Sequence, residues 1–292
     1  MTSVTSSTRW SLRPEGLTQR ERRLQDAVLG WYDDHARDLP WRRTRDPYAV
    51  LVSEFMLQQT QVARVAPRFE AWLERWPDVH ALATAAPADV LRAWVGLGYN
   101  RRALRLHACA EVVAREGWPP DAAGLRALPG VGPYTAAAVA AFAFGEVVAA
   151  VDVNQIRVVT RVCGLEDAPP REVTARAHAL VPADRPAAWN HALMDLGATI
   201  CRARAADCAA CPVAGHCASA GRVRFAPRAT AGDGARPRFE DTDRYVRGRV
   251  VAALARDEAL PSDVGSERLE RALTGLARDG LVVRDGDDVR LP

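Results

Sequence analysis

Apolar residues recur at intervals of three and four along most of this chain, which is the pattern of amphipathic helices. Short Gly, Pro and Asp segments separate these stretches and mark where helices begin and end. The pattern predicts helices over residues 21–35, 48–69, 87–94, 101–116, 135–144, 153–162, 171–180 and 187–200. The sequence therefore predicts a mainly α-helical domain over residues 19–220.

The pattern changes after Cys217, where Arg, Pro, Gly and Ala dominate and predict a flexible linker over 221–242. Helical periodicity returns over 243–256 and 266–278, and two short apolar stretches then flank an Asp-Gly turn. Helix, helix and hairpin together predict a small winged-helix-like α/β module over 243–292. The Ser/Thr-rich residues 1–18 are predicted to be disordered. They lack the apolar core of a secretion signal, so we expect a cytoplasmic protein.

Two carboxylates stand in contrasting surroundings. Glu54 is the only charge in the apolar stretch VLVSEFMLQQTQV (50–62), and covering it with a ligand or neighbour would favour its protonated form. Asp152 precedes a helix and forms an Asp-x-x-Gln capping pattern with Gln155, which favours its ionised form. A simple helix cap and a half-solvated helix face are the plain alternatives. Two acids whose surroundings favour opposite protonation states are nevertheless suited to glycosidic bond cleavage. In that reaction one acid donates a proton and the other stabilises a sugar cation.

Four cysteines lie within one short loop that follows a predicted helix, at spacing C-x6-C-x2-C-x5-C. They are Cys201, Cys208, Cys211 and Cys217. Disulfides are the simplest alternative but require an oxidising compartment. Zinc is the stronger rival, although all-cysteine zinc sites tend to use two Cys-x-x-Cys pairs and only one is present. A single uneven loop of four thiolates favours a 4Fe-4S cluster. Cys109 and Cys163 lie in apolar helices and are predicted to be core residues.

A glycine turn lies in LPGVGPYTAAAVAAFAF (128–144). Gly130 and Gly132 permit close backbone approach, and Pro133 suits the first turn of the helix that follows. The free N–H groups at such a helix start can face a phosphate, although many glycine turns between helices are purely structural.

The composition of the chain excludes chemistry that depends on a lysine amine. The net charge of +3 is mild, although arginines cluster near residues 42–45, 101–105 and 222–249. All 39 basic residues are arginine, so no lysine amine is present to form a Schiff base with an opened sugar.

The assembled motifs resemble the helix-hairpin-helix DNA glycosylases and, within them, the A/G-specific adenine DNA glycosylases of the MutY type. The resemblance covers about residues 24–220 and rests on segments that occur in the family's order: LPWR (39–42), SEFMLQQTQV (53–62), GLGYNRRALRLH (96–107), LPGVGPYTAAAV (128–139), VDVN (151–154), MDLGATIC (194–201) and the cysteine loop. It implies a two-lobed fold, with a six-helix barrel lobe (about 45–150) and an iron-sulfur cluster lobe (about 19–44 plus 151–220). It also implies that double-stranded DNA with a mismatched or damaged pair is the partner, bound by a monomer, with the base flipped into the cleft between the lobes.

The resemblance assigns roles residue by residue. It implies that Glu54 protonates the adenine and Asp152 stabilises the sugar cation, with Tyr134 and Asn154 as supporting catalytic residues. It implies that Gln59 wedges into the duplex and that Tyr99 contacts the lesion-bearing strand. The remaining substrate or DNA contacts that it implies are Trp41, Arg42, Leu57, Thr60, Gly130, Gly132 and His191, and the implied cluster ligands are Cys201, Cys208, Cys211 and Cys217.

The sequence departs from the family at Val153, where many members have a small residue, and at His191, where Glu or Gln is usual. The family's longer C-terminal domain for 8-oxoguanine recognition does not match the module at 243–292. Tyr134 stands where the related endonuclease III type has its Schiff-base lysine, which predicts a glycosylase without lyase activity. The principal hypothesis is therefore removal of adenine opposite 8-oxoguanine or guanine. Removal of thymine or uracil from G mismatches is the first alternative, and a non-catalytic iron-sulfur DNA-binding regulator is the second.

Overall fold

The computed structural model describes residues 17–223, 225, 238–286 and 288–292. Its α-helices are α1 (Gln19–His35), α2 (Pro47–Leu57), α3 (Val62–Arg75), α4 (Val79–Ala83), α5 (Pro87–Trp94), α6 (Arg101–Glu116), α7 (Ala122–Leu125), α8 (Pro133–Ala143), α9 (Val153–Cys163), α10 (Pro170–Ala179), α11 (Pro186–Thr199), α12 (Asp243–Ala255) and α13 (Ser266–Arg278). The strands β1 (Val283–Asp285) and β2 (Asp288–Arg290) form an antiparallel pair. The prediction of a mainly helical chain with a C-terminal hairpin is confirmed.

The predicted helix over 48–69 is wrong, because it is two helices and the second continues to Arg75. A turn at 58–61 separates α2 from α3, and Gln59 adopts a left-handed backbone conformation with φ of 55°. The buried guanidinium of Arg102 accounts for the break. It donates to the carbonyl oxygens of Phe55, Met56 and Gln58 at 2.7, 3.2 and 2.5 Å, which satisfies acceptors that a helix end leaves without partners. The short helices α4 and α7 were not predicted, since four or five residues carry too little periodicity.

The described residues divide into two compact units. The first unit contains residues 17–37, 147–223 and 225, and the second contains 38–146, 238–286 and 288–292. The core of the first unit is formed by α1, α9, α10 and α11, with Leu24, Val28, Val158, Trp189 and Leu196 almost fully buried. Thr18 begins α1 with a capping box to Glu21. Residues 1–16 of the predicted disordered segment lie outside the described residues, as does most of the predicted linker.

The second unit is built around α2, in which every residue from Tyr48 to Met56 is buried. Helix α2 packs against α3, α6 and α8. A ring cluster adjoins it, because Trp72 lies edge-on to Trp76 and Trp94 with centroids 4.6 and 5.5 Å away. The Trp72 indole donates to the Tyr48 hydroxyl at 3.1 Å, and that hydroxyl donates to the Trp76 carbonyl at 3.0 Å.

The C-terminal module, described over residues 243–286 and 288–292, belongs to the second unit, as do residues 238–242 of the predicted linker. Its helices α12 and α13 pack on each other, and α12 also packs on α5. Asp279 receives an ion pair from Arg247 within the module, at 2.5 Å, and another from Arg101 of α6, at 3.5 Å. These contacts attach the module to the helical body of its unit.

Among the helices that the structure describes, none has both the length and the apolar character needed to cross a membrane.

Candidate active site

Glu54 lies in the middle of α2 and is 4% exposed. Asp46 begins this helix by accepting hydrogen bonds from the backbone N–H groups of Tyr48 and Ala49, and Pro47 occupies the first turn. The sequence predicted a single charge on a partly polar stripe. The structure instead buries α2 on all sides, so Glu54 lies among buried residues from Tyr48 to Met56.

Arg102 connects two turns that are far apart in sequence. Besides the three carbonyls at the end of α2, its guanidinium donates to the carbonyls of Leu97 and Gly98 and to the Thr60 hydroxyl, at 3.1, 3.0 and 3.0 Å. Thr60 in turn donates to the Leu97 carbonyl at 3.2 Å. One buried side chain thus holds the turn after α2 against the turn before α6.

Each of these two turns contains a non-glycine residue in the left-handed region. Gln59 has φ of 55° and Tyr99 has φ of 49°, and both side chains are exposed. Left-handed backbone costs free energy for residues other than glycine, so the surrounding contacts must hold these conformations. The hydrogen bonds of Arg102 and Thr60 supply that restraint, and the structure brings the predicted DNA contacts Gln59, Thr60 and Tyr99 together.

The predicted glycine turn precedes α8, and its two glycines differ. Gly130 has φ of +76°, and a Cβ added there would lie 2.7 Å from Cβ of Arg105. Gly132 is the N-cap of α8 in an extended conformation, and a Cβ added there would meet open space. Tyr134 is half-buried in the first turn of α8, a helix that packs against α2. The amide of Gln58 reaches the Thr135 hydroxyl at 3.4 Å.

Three further predicted contacts also lie in the second unit. Trp41 is buried in a short 3-10 helix, Pro40–Arg42, and its ring lies edge-on to Phe69 with centroids 5.6 Å apart. Arg42 ends the same turn and is half-buried. Leu57 is the last residue of α2 and is half-buried beside the Gln59 turn.

Asp152 is the N-cap of α9 in the first unit. Its Oδ1 accepts the backbone N–H of Gln155 at 2.7 Å, and its Oδ2 accepts the side-chain amide of Asn154 at 2.8 Å. The predicted capping box is only half formed. The Gln155 side chain is fully buried and donates to Oδ1 of Asn190 at 2.8 Å instead of returning to the cap. Asp152 thus accepts one backbone and one side-chain hydrogen bond at the N-terminus of α9.

Arg157 extends this arrangement and was missed in the sequence. It donates to Oδ1 of Asn154 and to the Gly197 carbonyl, both at 2.7 Å, and to the Cys201 carbonyl at 2.8 Å. A continuous chain of hydrogen bonds therefore runs from the first cysteine of the loop to Asp152. Its position three residues after Asn154, on the same side of α9, is the signal that could have identified it.

The four loop cysteines line one cavity that is partly open to solvent. Burial raises the pKa of the Cys211 and Cys217 thiols. Arg161 donates to Sγ of Cys201 at 3.3 Å, and its carbonyl accepts from Sγ of Cys217 at 3.4 Å. No set of three or more Cys, His, Asp or Glu side chains in the described ranges is close enough to hold a metal ion. The four thiols share this cavity with the guanidinium of Arg161 beside it, and these cysteines are the residues that would hold a cluster there.

The remaining predicted residues also have defined places. His191 lies half-buried on α11, with its ring centroid 6.4 Å from that of Tyr32. Cys109 is fully buried, as predicted, and Cys163 is half-buried against the core of the first unit. Glu54 and the contacts around Gln59, Tyr99 and Tyr134 thus belong to the second unit. Asp152, Asn154, His191 and the cysteine loop belong to the first.

Comparison with known proteins identifies the family of this chain. Residues 52–183 match the model of the HhH-GPD superfamily of base excision DNA repair proteins. The chain is 47% identical over 280 residues to an adenine DNA glycosylase of Mycolicibacterium smegmatis, covering 89% of this chain and 92% of that protein. It is 44% identical over 299 residues to an adenine DNA glycosylase of Mycobacterium tuberculosis, covering 94% and 95%.

A solved structure gives the same fold. A thermostable thymine-DNA glycosylase superposes with a TM-score of 0.66 at 29% identity, over 70% of this chain and 98% of that one. The predicted helix-hairpin-helix glycosylase fold is confirmed by this likeness and by the superfamily match. The chain belongs to the adenine DNA glycosylase family of the HhH-GPD superfamily.

Proposed function

We propose that this protein hydrolyses the N-glycosidic bond of adenine mispaired with 8-oxoguanine or guanine in double-stranded DNA. The observation that carries the proposal is the contrast between two carboxyl groups. Glu54 is buried in an apolar helix, whereas Asp152 accepts two hydrogen bonds at a helix N-terminus. The names of the relatives support adenine as the base.

In the proposed reaction Glu54 donates a proton to a ring nitrogen of adenine while the bond between that base and C1′ breaks. The bonding electrons leave with the protonated base, and the sugar becomes an oxocarbenium-like cation. Asp152 remains ionised and stabilises that cation. Water then adds at C1′ and releases a proton to the ionised Glu54, which restores the acid and leaves an abasic sugar.

Several residues support the two carboxyl groups or contact the DNA in this proposal. Asn154 orients Asp152 through its 2.8 Å hydrogen bond, and Tyr134 is a second supporting residue. Gln59 serves as a wedge in the duplex, since flipping requires a group that replaces the extruded base in the stack. The other proposed substrate or DNA contacts are Trp41, Arg42, Leu57, Thr60, Tyr99, Gly130, Gly132 and His191.

The proposed enzyme is monofunctional, because a lyase step through a Schiff base needs an amine. The chain contains no lysine. Tyr134 stands at the position of the glycine-turn motif where the endonuclease III type has its Schiff-base lysine. Strand scission should therefore require added alkali after base release.

The proposed cofactor is a 4Fe-4S cluster held by Cys201, Cys208, Cys211 and Cys217. Such a cluster would cross-link the loop that follows α11. Within the chain, Arg157 and Arg161 bind the backbone of this loop, since both donate to the Cys201 carbonyl. Their hydrogen bonds connect the loop to α9, whose N-cap is Asp152.

One assay tests the base and the monofunctional character together. The purified protein is given duplexes with A opposite 8-oxoguanine, A opposite G, T opposite G and U opposite G, and scission is read before and after alkali. Adenine release that needs alkali supports the proposal, and scission without alkali would remove the monofunctional assignment. Release of thymine or uracil alone would favour the alternative, which the likeness to a thymine-DNA glycosylase keeps open.

A further inference from the structure

Arg244, in the first turn of α12, stacks on Tyr99. The guanidinium carbon of Arg244 lies 3.9 Å from the centroid of the Tyr99 ring, which is within cation–π range. Tyr99 belongs to the helical body of the second unit, and Arg244 belongs to the C-terminal module of the same unit. Both side chains are exposed, so this pair forms part of the molecular surface.

Aromatic rings and arginines alternate around this contact. Phe239 is 53% exposed, 5.7 Å from the Arg244 guanidinium, and its ring lies edge-on to Tyr245 at 5.6 Å. Arg249 lies over the other aromatic, Tyr245, at 5.7 Å. Exposed rings interleaved with guanidinium groups are the composition of surfaces that bind nucleic acid, where rings stack on bases and arginines bind phosphates.

No carboxylate of the described residues forms an ion pair with Arg244. Most described arginines of the module pair with an acid: Arg247 with Asp279, Arg249 with Asp263, Arg256 with Glu258, Arg268 with Asp243, Arg271 with Glu267 and Arg284 with Glu270. Within the described residues, the interactions of the Arg244 guanidinium are those with the rings of Tyr99 and Phe239. Its guanidinium N–H groups therefore remain available for an anionic ligand.

A second cation lies near the same ring. The guanidinium of Arg102 is 5.5 Å from the Tyr99 centroid. Burial lowers the pKa of Arg102 to about 10, with the positive charge of Arg244 as a smaller contribution in the same direction. Two cations beside one ring repel each other, and an anion bound at Arg244 would offset that repulsion.

Ion pairs and helix packing hold the C-terminal module against the helical body of the second unit. Arg101, the neighbour of Arg102, pairs with Asp279 at 3.5 Å, and Arg92 approaches Asp257 at 3.8 Å. Helix α12 also packs on α5. A group on α12 is thus placed beside the strained Tyr99 turn by contacts on two sides.

We propose that Arg244 is a phosphate contact for duplex DNA, and that the C-terminal module forms a composite binding surface with the Tyr99 turn. The inference rests on the proposed function only in taking DNA as the ligand. An acidic protein would be the other possible anion. The exposed aromatic rings and the position beside the Gln59 and Tyr99 turns favour the nucleic acid.

The test measures equilibrium binding of the full-length protein to a duplex that cannot be cleaved, with 2′-fluoro-2′-deoxyadenosine as the target nucleotide. Its fluorine destabilises the sugar cation, so binding is read without turnover. For Arg244→Ala we expect about tenfold weaker binding at 50 mM salt and about threefold at 200 mM, because losing one phosphate contact reduces the slope of log K against log salt by about 0.9. Arg244→Lys should keep the slope, since it keeps the charge.

Arg271→Ala is the matched control. It removes the same charge from the same module, but Arg271 already pairs with Glu267 at 2.9 Å and should not change the slope. Unchanged or tighter binding by Arg244→Ala, or an equal loss in Arg271→Ala, would overturn the proposal. Thermal unfolding checks that each variant is folded. A wild-type protein that binds with the expected slope but releases no adenine would instead contradict the proposed function.

Discussion

The side-chain amide of Asn154 donates to Oδ2 of Asp152 at 2.8 Å, while its carbonyl oxygen accepts from Arg157 at 2.7 Å. Asn154 can make both bonds only with its amide oriented in one way, and Arg157 enforces that orientation. Asp152 is thereby positioned by Asn154, and Asn154 by Arg157, which also donates to the Cys201 carbonyl of the cysteine loop.

We expect Asn154→Ala to lower the single-turnover rate of adenine release by about 10- to 100-fold, comparable to the loss of one positioning hydrogen bond. Duplex binding should change little, because the Asp152 carboxylate loses orientation while keeping its charge. Rapid-quench kinetics under saturating enzyme measure the rate. A variant that binds weakly but cleaves at the normal rate would contradict this role.

Arg157→Gln should reduce both the cleavage rate and the iron retained per protein. The substitution removes donors to Asn154, Gly197 and Cys201, so it loosens the N-terminus of α9 and the cysteine loop together. Iron analysis after anaerobic purification and single-turnover kinetics measure the two effects. Arg171→Gln, exposed on α10 of the same unit, is the control and should change neither.

Arg102→Ala should lower the free energy of unfolding by about 3 kcal/mol, because it leaves several buried carbonyls without donors at about 1–3 kcal/mol each. Urea denaturation measures the change. Arg115→Ala, on the same helix α6, removes an exposed arginine that forms a surface ion pair with Glu116 and should cost less than about 0.5 kcal/mol. Equal effects of the two variants would show that Arg102 does not hold the two turns.

Substitutions of the two glycines in the turn before α8 provide a matched comparison of stability. Gly130→Ala should destabilise the protein by about 2 kcal/mol, because Gly130 has φ of +76° and its Cβ would lie 2.7 Å from Arg105. Gly132→Ala should cost less than about 1 kcal/mol, since its backbone is extended and no atom lies within 4 Å of the added Cβ. Chemical denaturation of both variants separates the two glycines. A larger cost at Gly132 would invalidate the distinction.

The local properties of this protein were readable from its sequence. Helical periodicity predicted most helices to within a residue or two, because burial of one helix face imposes that spacing on any sequence. The cysteine spacing, the absence of lysine and the order of the motifs likewise identified the family, since each depends only on residue type and separation along the chain.

The tertiary structure decided what distant side chains do to one another. The break between α2 and α3 depends on Arg102, more than 40 residues away in sequence, whose guanidinium takes the carbonyls that a longer helix would use. The hydrogen bonds of Arg157 to the cysteine loop and the stacking of Arg244 on Tyr99 are of the same kind. An arginine in a sequence shows only its charge. Its partners are set by which carbonyls and rings the packed helices bring within about 3–6 Å.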